Sequence, residues 1–404
     1  MDSKSRRGGK LLAEGGYGCV FTPGVNCDGS IMKTKKYVSK IQRYDESAKN
    51  EIEIGKKIQE INGFEDHFSP VLKHCNIDIA SIKDKDIDKC TILTKKKSKN
   101  FLVMKLQYIE GKDFIDYLVG QKNSVQLVSN IILSYNHILK SISMLISKEL
   151  MHYDIKGSNI LFDIDKENPI LIDFGLSVQI SKIDFNNTEA ILTSKLKNIF
   201  YVYAPEYYLW SLEIHYLSYI LHKNKEPTND ELNDLATKYV NENKALNKNF
   251  SPWFLKKYKE KCIRQLKKYN DMSYMDRIKY LFGYWETFDN YALSIMYLKF
   301  LRYININGFL DNHFIIFFSK LLLKNIDPNP DNRLTIVETI HTFNTFLYQK
   351  DNEMNIQTFE ELTDSFIENR SDIDKEMTLD RKKGVFETKS MKIFKRKAQK
   401  TTSR

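Results

Sequence analysis

The stretch His152-Tyr153-Asp154-Ile155-Lys156-Gly157-Ser158-Asn159 decides how this chain is read. Histidine, aspartate, lysine and asparagine stand at the spacing H-x-D-x-K-x-x-N, and three of them have a direct chemical use there. The carboxylate of Asp154 can accept the proton of an attacking hydroxyl. Lys156, two residues on, can neutralise a transferring phosphoryl group. The amide oxygen of Asn159 is a hard donor suited to Mg2+. Nineteen residues beyond Asp154 comes Leu171-Ile172-Asp173-Phe174-Gly175. Its apolar run puts the Asp173 carboxylate at the end of a buried strand, where it completes a metal pair with Asn159. Gly175 permits an unusual backbone angle at this turn.

Upstream, Glu14-Gly15-Gly16-Tyr17-Gly18-Cys19-Val20 reads as a glycine-rich turn between strands. Without Cβ atoms, backbone N–H groups in such a turn can approach phosphates closely. A plain hairpin turn accounts for the same residues. Residues 37–41 and 101–106 read as strands, and Ile52, Ile54, Ile58 and Ile61 mark the apolar face of a helix. Residues 76–100 are charged and read as irregular. A broad apolar helical face runs from Val125 to Leu150, short strands flank the two motifs, and nearly everything after Glu206 is helical in pattern. Strands first and helices later imply a small sheet-containing lobe followed by a helical one.

Together these motifs resemble a eukaryotic-type serine/threonine protein kinase, and further landmarks of that family arrive in order. Lys40 sits where the phosphate-pairing lysine belongs, and Glu51, better than Glu53, fits the glutamate of the following helix. Residues 101–104 resemble the strand entering the hinge, and residues 110–114 the segment after it. Ala204-Pro205-Glu206 matches A-P-E, Asp289 the buried aspartate of the central helix, and residues 327–335 the element whose arginine, Arg333, pairs with the A-P-E glutamate. The resemblance covers residues 10–345. It implies an α+β, bilobal fold with an antiparallel-sheet N-lobe over residues 1–106. A helical C-lobe would follow over 107–350, with a helical insertion at about 207–280. An extension over 351–380 and a basic tail over 381–404 would close the chain.

The same resemblance implies the site. Asp154 is the catalytic base, supported by Lys156, Lys40 and Glu51, while Asn159 and Asp173 hold Mg2+ or Mn2+. ATP enters between the lobes against Leu12, Ala13, Gly15, Gly16, Tyr17, Gly18, Val20, Val38 and Leu161. Gln107, Tyr108 and Ile109 offer backbone contacts, and Leu106 closes the rear. Glu206, Asp289 and Arg333 are structural. The implied partners are ATP and protein substrates, with the chain a monomer. Lys156 favours serine and threonine over tyrosine as acceptors. The insertion, the opening segment and the Lys/Asn/Ile-heavy composition are similar to kinases of giant nucleocytoplasmic large DNA viruses. That likeness implies an intracellular protein of host cytoplasm or virion. The alternative is a pseudokinase, a scaffold that binds nucleotide and partners. The intact Lys40, Glu51, Asp154, Asn159 and Asp173 count against it. A small-molecule kinase is disfavoured by the A-P-E match and Arg333.

The chain also departs from the family pattern. Ala13 replaces the first loop glycine, Tyr291 stands where tryptophan is common, and Ile199 where the A-P-E glutamate is usually preceded by threonine seven residues back. Tyr153 replaces the arginine that binds a phosphorylated activation segment. Ser177, Ser181, Thr188, Thr193 and Ser194 supply hydroxyls on that segment, yet activity is expected not to require their phosphorylation. Between Glu206 and Asp289 lie about 70 more residues than the family needs, which could pack against the segment or dock a partner. Thr228 and Glu231 form a capping box opening one helix of that insertion.

Composition bounds the rest. Apolar residues are 42% and charged residues 28% of 404, and Gly with Pro number only 24, which excludes collagen-like and linker-like chains. The stretch from His313 to Leu323 is too short to span a bilayer. The start has no apolar run behind its charges, so a cytosolic or internal protein is expected. Five scattered cysteines without CxxC spacing suggest free thiols in a reducing compartment. Residues 381–404 hold ten Lys/Arg and one acid, nearly the whole of the +10 net charge. This tail reads as disordered, or as an attachment to nucleic acid or anionic membrane.

Overall fold

The computed structural model describes residues 10–14, 18–82, 87–94, 100–120, 124–223, 225–305, 312–348, 361–364 and 367–382. The chain divides into two units, residues 1–112 with 161–177, and residues 113–160 with 178–404.

The first unit is built on an antiparallel sheet of order β1-β2-β3-β6-β5, comprising Lys10–Glu14, Gly18–Thr22, Tyr37–Arg43, Phe101–Gln107 and Lys73–Ile77. Period-two alternation sorts its side chains. Leu102 and Met104 of β6 turn to one face, against Ala48 and Ile52 of helix α1 (Glu46–Gln59). Val103 turns to the other face, among Cys19, Phe21, Ile41, Ile77 and Ile87. Asp45 caps α1 by accepting from Ala48 N–H at 3.0 Å. Short β4 (Phe68–Ser69) pairs in parallel with β10 (Asn168–Ile172), which leads into Asp173. Strands β7 (Gly111–Asp113) and β9 (Ile160–Asp163) complete that small sheet. The region read as irregular holds the end of β5, 3-10 turns and the one-turn helix α2 (Thr91–Thr94).

The free-thiol expectation is corrected in this unit. Cys19 is bonded to Cys90, and Cys27 to Cys75. Cys262, buried in the second unit, is the free cysteine. The partners lie 71 and 48 residues apart in sequence, so spacing could not reveal them. Sheet pairing and the loops it anchors bring them together. Chain entropy assigns each closure about 4 kcal/mol of stabilisation. Reduction with dithiothreitol should therefore lower the Tm of the full chain by several degrees. An unchanged Tm after mass spectrometry confirms reduced thiols would refute a stabilising role.

The second unit is largely helical. Helices α3 (Phe114–Gly120) and α4 (Ser124–Ile146) lead to β8 (Leu150–Met151), which pairs with β11 (Val178–Gln179). The expected helix over 125–150 thus ends four residues early, because the chain turns at Glu149 with φ 53° to enter the strand. Helices α5 (Glu189–Ile199) and α6 (Leu212–Lys223) follow, and α6 is buried over most of its length. Then come α7 (Asn229–Asn241), α8 (Lys244–Asn249), α9 (Pro252–Asn270) and α10 (Tyr274–Phe282). Thr228 and Glu231 make both reciprocal bonds of a capping box at α7. The core gathers around α11 (Phe288–Asn305), α12 (His313–Asn325) and α13 (Ile336–Tyr348). There the Tyr135 ring meets Tyr297, Phe318 and Phe343 edge-on at 4.9, 4.9 and 5.0 Å. Helix α14 (Arg370–Lys382) buries Ile373 and Met377. The tail beyond residue 382 lies outside the described residues. Among the described residues no helix is long and apolar enough to cross a membrane.

Candidate active site

In the first unit the functional side chains converge on Lys40 of β3. Its Nζ lies 2.6 and 2.7 Å from the two carboxylate oxygens of Glu51 and 3.2 Å from Asp173 Oδ1. Glu51 is buried on α1, whereas Glu53 is exposed. Burial works against the Lys40 charge, but Asp173 and Glu51 more than offset it and hold the ammonium above its ordinary pKa. Helix α1 is tied to the turn after Asp173. Asn50 Nδ2 donates to Ser177 O at 2.8 Å, and Ser47 Oγ to Gly175 O at 3.3 Å. Phe174 packs on Phe68 with ring centroids 6.1 Å apart. The unusual backbone angle expected at Gly175 falls on Asp173, with φ 62°. A non-glycine residue held there costs about 1–3 kcal/mol and persists where its surroundings over-determine it.

The expected nucleotide residues divide in placement. Gly15, Gly16 and Tyr17 lie outside the described residues. Leu12 and Ala13 are on β1, beside a register shift, and Leu12 is exposed. Gly18 opens β2, where an added Cβ would lie 2.3 Å from Ile41 O, so close strand packing alone demands glycine. Val20 and Leu161 are half-buried and Val38 is buried. Gln107 ends β6 and its carbonyl accepts from Ser69 Oγ at 3.2 Å. Tyr108 N–H donates to Lys36 O at 2.9 Å, Ile109 is buried and Leu106 is half-buried.

The second unit holds the loop after β8. Asp289, buried at the start of α11, accepts from His152 N–H at 2.6 Å and Tyr153 N–H at 2.8 Å. These two bonds support Tyr153 in the left-handed region, φ 67°. Asp154 is buried, and both of its carboxylate oxygens are engaged. Oδ2 accepts from Lys156 Nζ at 2.8 Å and Asn159 Nδ2 at 3.0 Å, and Oδ1 accepts from Tyr207 Oη at 2.8 Å. Burial and the Asp154 charge push the Tyr207 phenol well above its usual pKa, so it remains a donor. Asn159 Nδ2 also donates to Asp154 O at 2.9 Å. That commits the amide nitrogen inward and leaves the amide oxygen as the donor atom for a cation. Each unit thus supplies a hard oxygen donor of the kind Mg2+ takes, the Asp173 carboxylate in the first and the Asn159 amide in the second.

One structural assignment is corrected. Arg333 does not pair with Glu206, which is exposed. Its Nη2 lies 2.9 and 3.1 Å from the carboxylate oxygens of Glu213, in the first turn of α6. Both side chains are fully buried. Arg333 Nε donates to Asp327 O at 2.8 Å, and Tyr269 Oη to Glu213 at 3.3 Å. Ala204 and Pro205 are buried, but the turn they open leaves Glu206 facing solvent. The A-P-E match was therefore a misleading local signal. The readable clue was Glu213 among the apolar residues of α6. Tyr207, six residues before Glu213, was also missed; its hydroxyl donates to Asp154.

A sheet-bearing lobe with a lysine–glutamate pair and a helical lobe with an Asp–Lys–Asn loop define a protein kinase. The protein kinase domain family model matches residues 7–343, and the chain belongs to that family. Its members are phosphotransferases that typically use ATP and Mg2+ on protein substrates. Over 206 residues the chain is 27% identical to a probable receptor-like protein kinase of Arabidopsis thaliana, covering 50% of this chain and 28% of that one. Over 86 residues it is 34% identical to the dual specificity protein kinase zakA of Dictyostelium discoideum, covering 21% and 11%. The matches thus span less than a third of these relatives' lengths. Among solved structures, the autoinhibited serine kinase domain of the giant muscle protein titin aligns with TM-score 0.42 and 14% identity, over 85% of this chain and 80% of that one.

Proposed function

We propose that this chain is an active serine/threonine protein kinase that transfers the γ-phosphate of ATP to a protein hydroxyl. The observation that carries the reading is Lys40 bridging Glu51, which is buried, and Asp173, which is half-buried. In this reading Lys40, oriented by Glu51, holds the nucleotide phosphates. Asp173 and Asn159 would hold Mg2+, which supplies positive charge to the phosphate oxygens. Asp154 orients the acceptor hydroxyl and takes its proton, and Lys156 stabilises charge on the transferred group. Lys156 supports serine and threonine as acceptors. The viral likeness of the composition belongs to the same proposal and concerns origin alone.

The test is transfer from radiolabelled ATP with Mg2+ to substrates bearing serine, threonine and tyrosine, followed by phosphoamino-acid analysis. Phosphoserine and phosphothreonine are expected. Phosphotyrosine as the main product would overturn the specificity. Nucleotide binding without any transfer would make the chain a scaffold.

A further inference from the structure

A series of aromatic rings runs through the second unit and ends on Tyr207, the residue that donates to Asp154. Phe282 ends α10, the last helix before the central α11. Its ring meets Phe200, just after α5, at 6.1 Å and 83°. Phe200 meets Tyr153 of the catalytic loop at 5.9 Å and 86°. Tyr153 stacks on Trp210 at 4.7 Å and 22°, and Trp210 meets Tyr207 edge-on at 5.3 Å. Tyr207 then donates to Asp154. Phe185 adds a second ring against Phe282, at 5.3 Å.

We propose that Phe282 is a positioning residue: it completes an uncharged aromatic clamp that holds residues 178–206 against the catalytic loop and thereby places Asp154. The inference rests on the kinase reading and adds the regulation of that site. Phe200, Phe282, Trp210 and Tyr153 are between 0 and 4% exposed. A phosphate or an arginine has no solvated place among them, and burying an unpaired charge there would be heavily penalised. Among the described residues the buried Tyr153 hydroxyl has no hydrogen-bond partner, and burial pushes its phenol well above the usual pKa, so the ring stays neutral. Offset and edge-to-face ring pairs fix geometry as well as burying area. Two polar ties act alongside. Thr193 Oγ1 lies 3.0 Å from Tyr274 Oη of α10, and His222 Nε2 lies 2.9 Å from Phe200 O. Helices α6 and α10 therefore hold the segment through these two ties, and Arg277 of α10, which lies near Thr193 and Ser194, is paired with Glu226 at 2.7 Å. The clamp makes the segment's order independent of phosphorylation.

The test uses the full chain, treated with phosphatase and verified by mass spectrometry as unmodified between residues 173 and 206. Wild type should be fully active in this state. Phe282→Ala should lower kcat about tenfold or more while KM for ATP stays within about twofold. Amide exchange over residues 189–200 should quicken about tenfold. Phe282→Leu should recover most of the loss, and Trp253→Ala, on the exposed surface of α9, should change nothing. If Phe282→Ala does not fold by circular dichroism, Phe185→Ala carries the same test with a loss of about threefold in kcat. Wild-type kcat and exchange in the alanine variant overturn the clamp. So does an unmodified wild type that becomes active only after phosphate is added to the segment. A wild type inactive in every state sinks the kinase reading instead, and exchange in the Phe282 variants still decides the clamp.

Discussion

Asp154→Asn should lower phosphoryl transfer by about 10²–10⁴-fold, the contribution of a positioned general base. The exchange is nearly isosteric. The asparagine oxygen can still accept one hydrogen bond, but the amide cannot take the proton of an attacking hydroxyl. Lys156, 2.8 Å from Oδ2, loses its charge partner, while Asn159 remains held by Asp154 O at 2.9 Å. Nucleotide affinity, measured by titration, should stay within a few-fold, because the phosphates are assigned to Lys40 and the cation to Asp173 and Asn159. Asp173→Asn is the contrast. It removes the carboxylate proposed to hold the cation, which also lies 3.2 Å from Lys40, so Mg2+-dependent nucleotide binding should weaken together with the rate. Wild-type transfer rates in both variants would show that the site is wrongly assigned.

Glu213→Ala should destabilise the protein by about 3–5 kcal/mol, the usual consequence of removing one partner from a buried ion pair. Burial alone works against the Arg333 charge, and Glu213 more than offsets it, so the guanidinium stays ionised. Without Glu213 that charge keeps the Asp327 carbonyl at 2.8 Å and Thr287 Oγ1 at 3.4 Å, and loses its counter-ion. Tyr269 Oη loses its acceptor as well. Glu206→Ala, at an exposed position, should change stability by no more than about 0.5 kcal/mol. Urea unfolding of the two variants decides between them. Equal midpoints would mean that Glu213 is not the partner on which Arg333 depends.

The two glutamates show where sequence reading loses its grip. Glu206 sits in a complete three-letter match and Glu213 in none, yet the arginine meets Glu213. A motif reports residue types along the chain and says nothing of which side of a turn faces inward. Tyr207 was overlooked for the same reason. Its hydroxyl reaches Asp154 across 53 residues, a relation that no local spacing marks. The glycine-rich turn carries a related lesson. Gly18 reads as a phosphate-loop glycine, but its lack of Cβ is required by Ile41 O on the neighbouring strand.

What the sequence determined by itself is the set of groups whose relations are local. Asp154, Lys156 and Asn159 fall within six residues, so a single loop brings them together. Lys40 and Glu51 are one strand and less than one helix apart, and the resemblance of both segments to the kinase pattern implied their pairing. The order of strands before helices likewise set the class of fold. The tertiary structure alone decided the disulfide partners, the partner of Arg333 and the ring series from Phe282 to Asp154. Each joins residues dozens of positions apart, and each depends on which face of a strand or helix is turned inward by packing. Hydrophobic burial chooses that face with the whole core at once, so no short stretch of sequence can encode it.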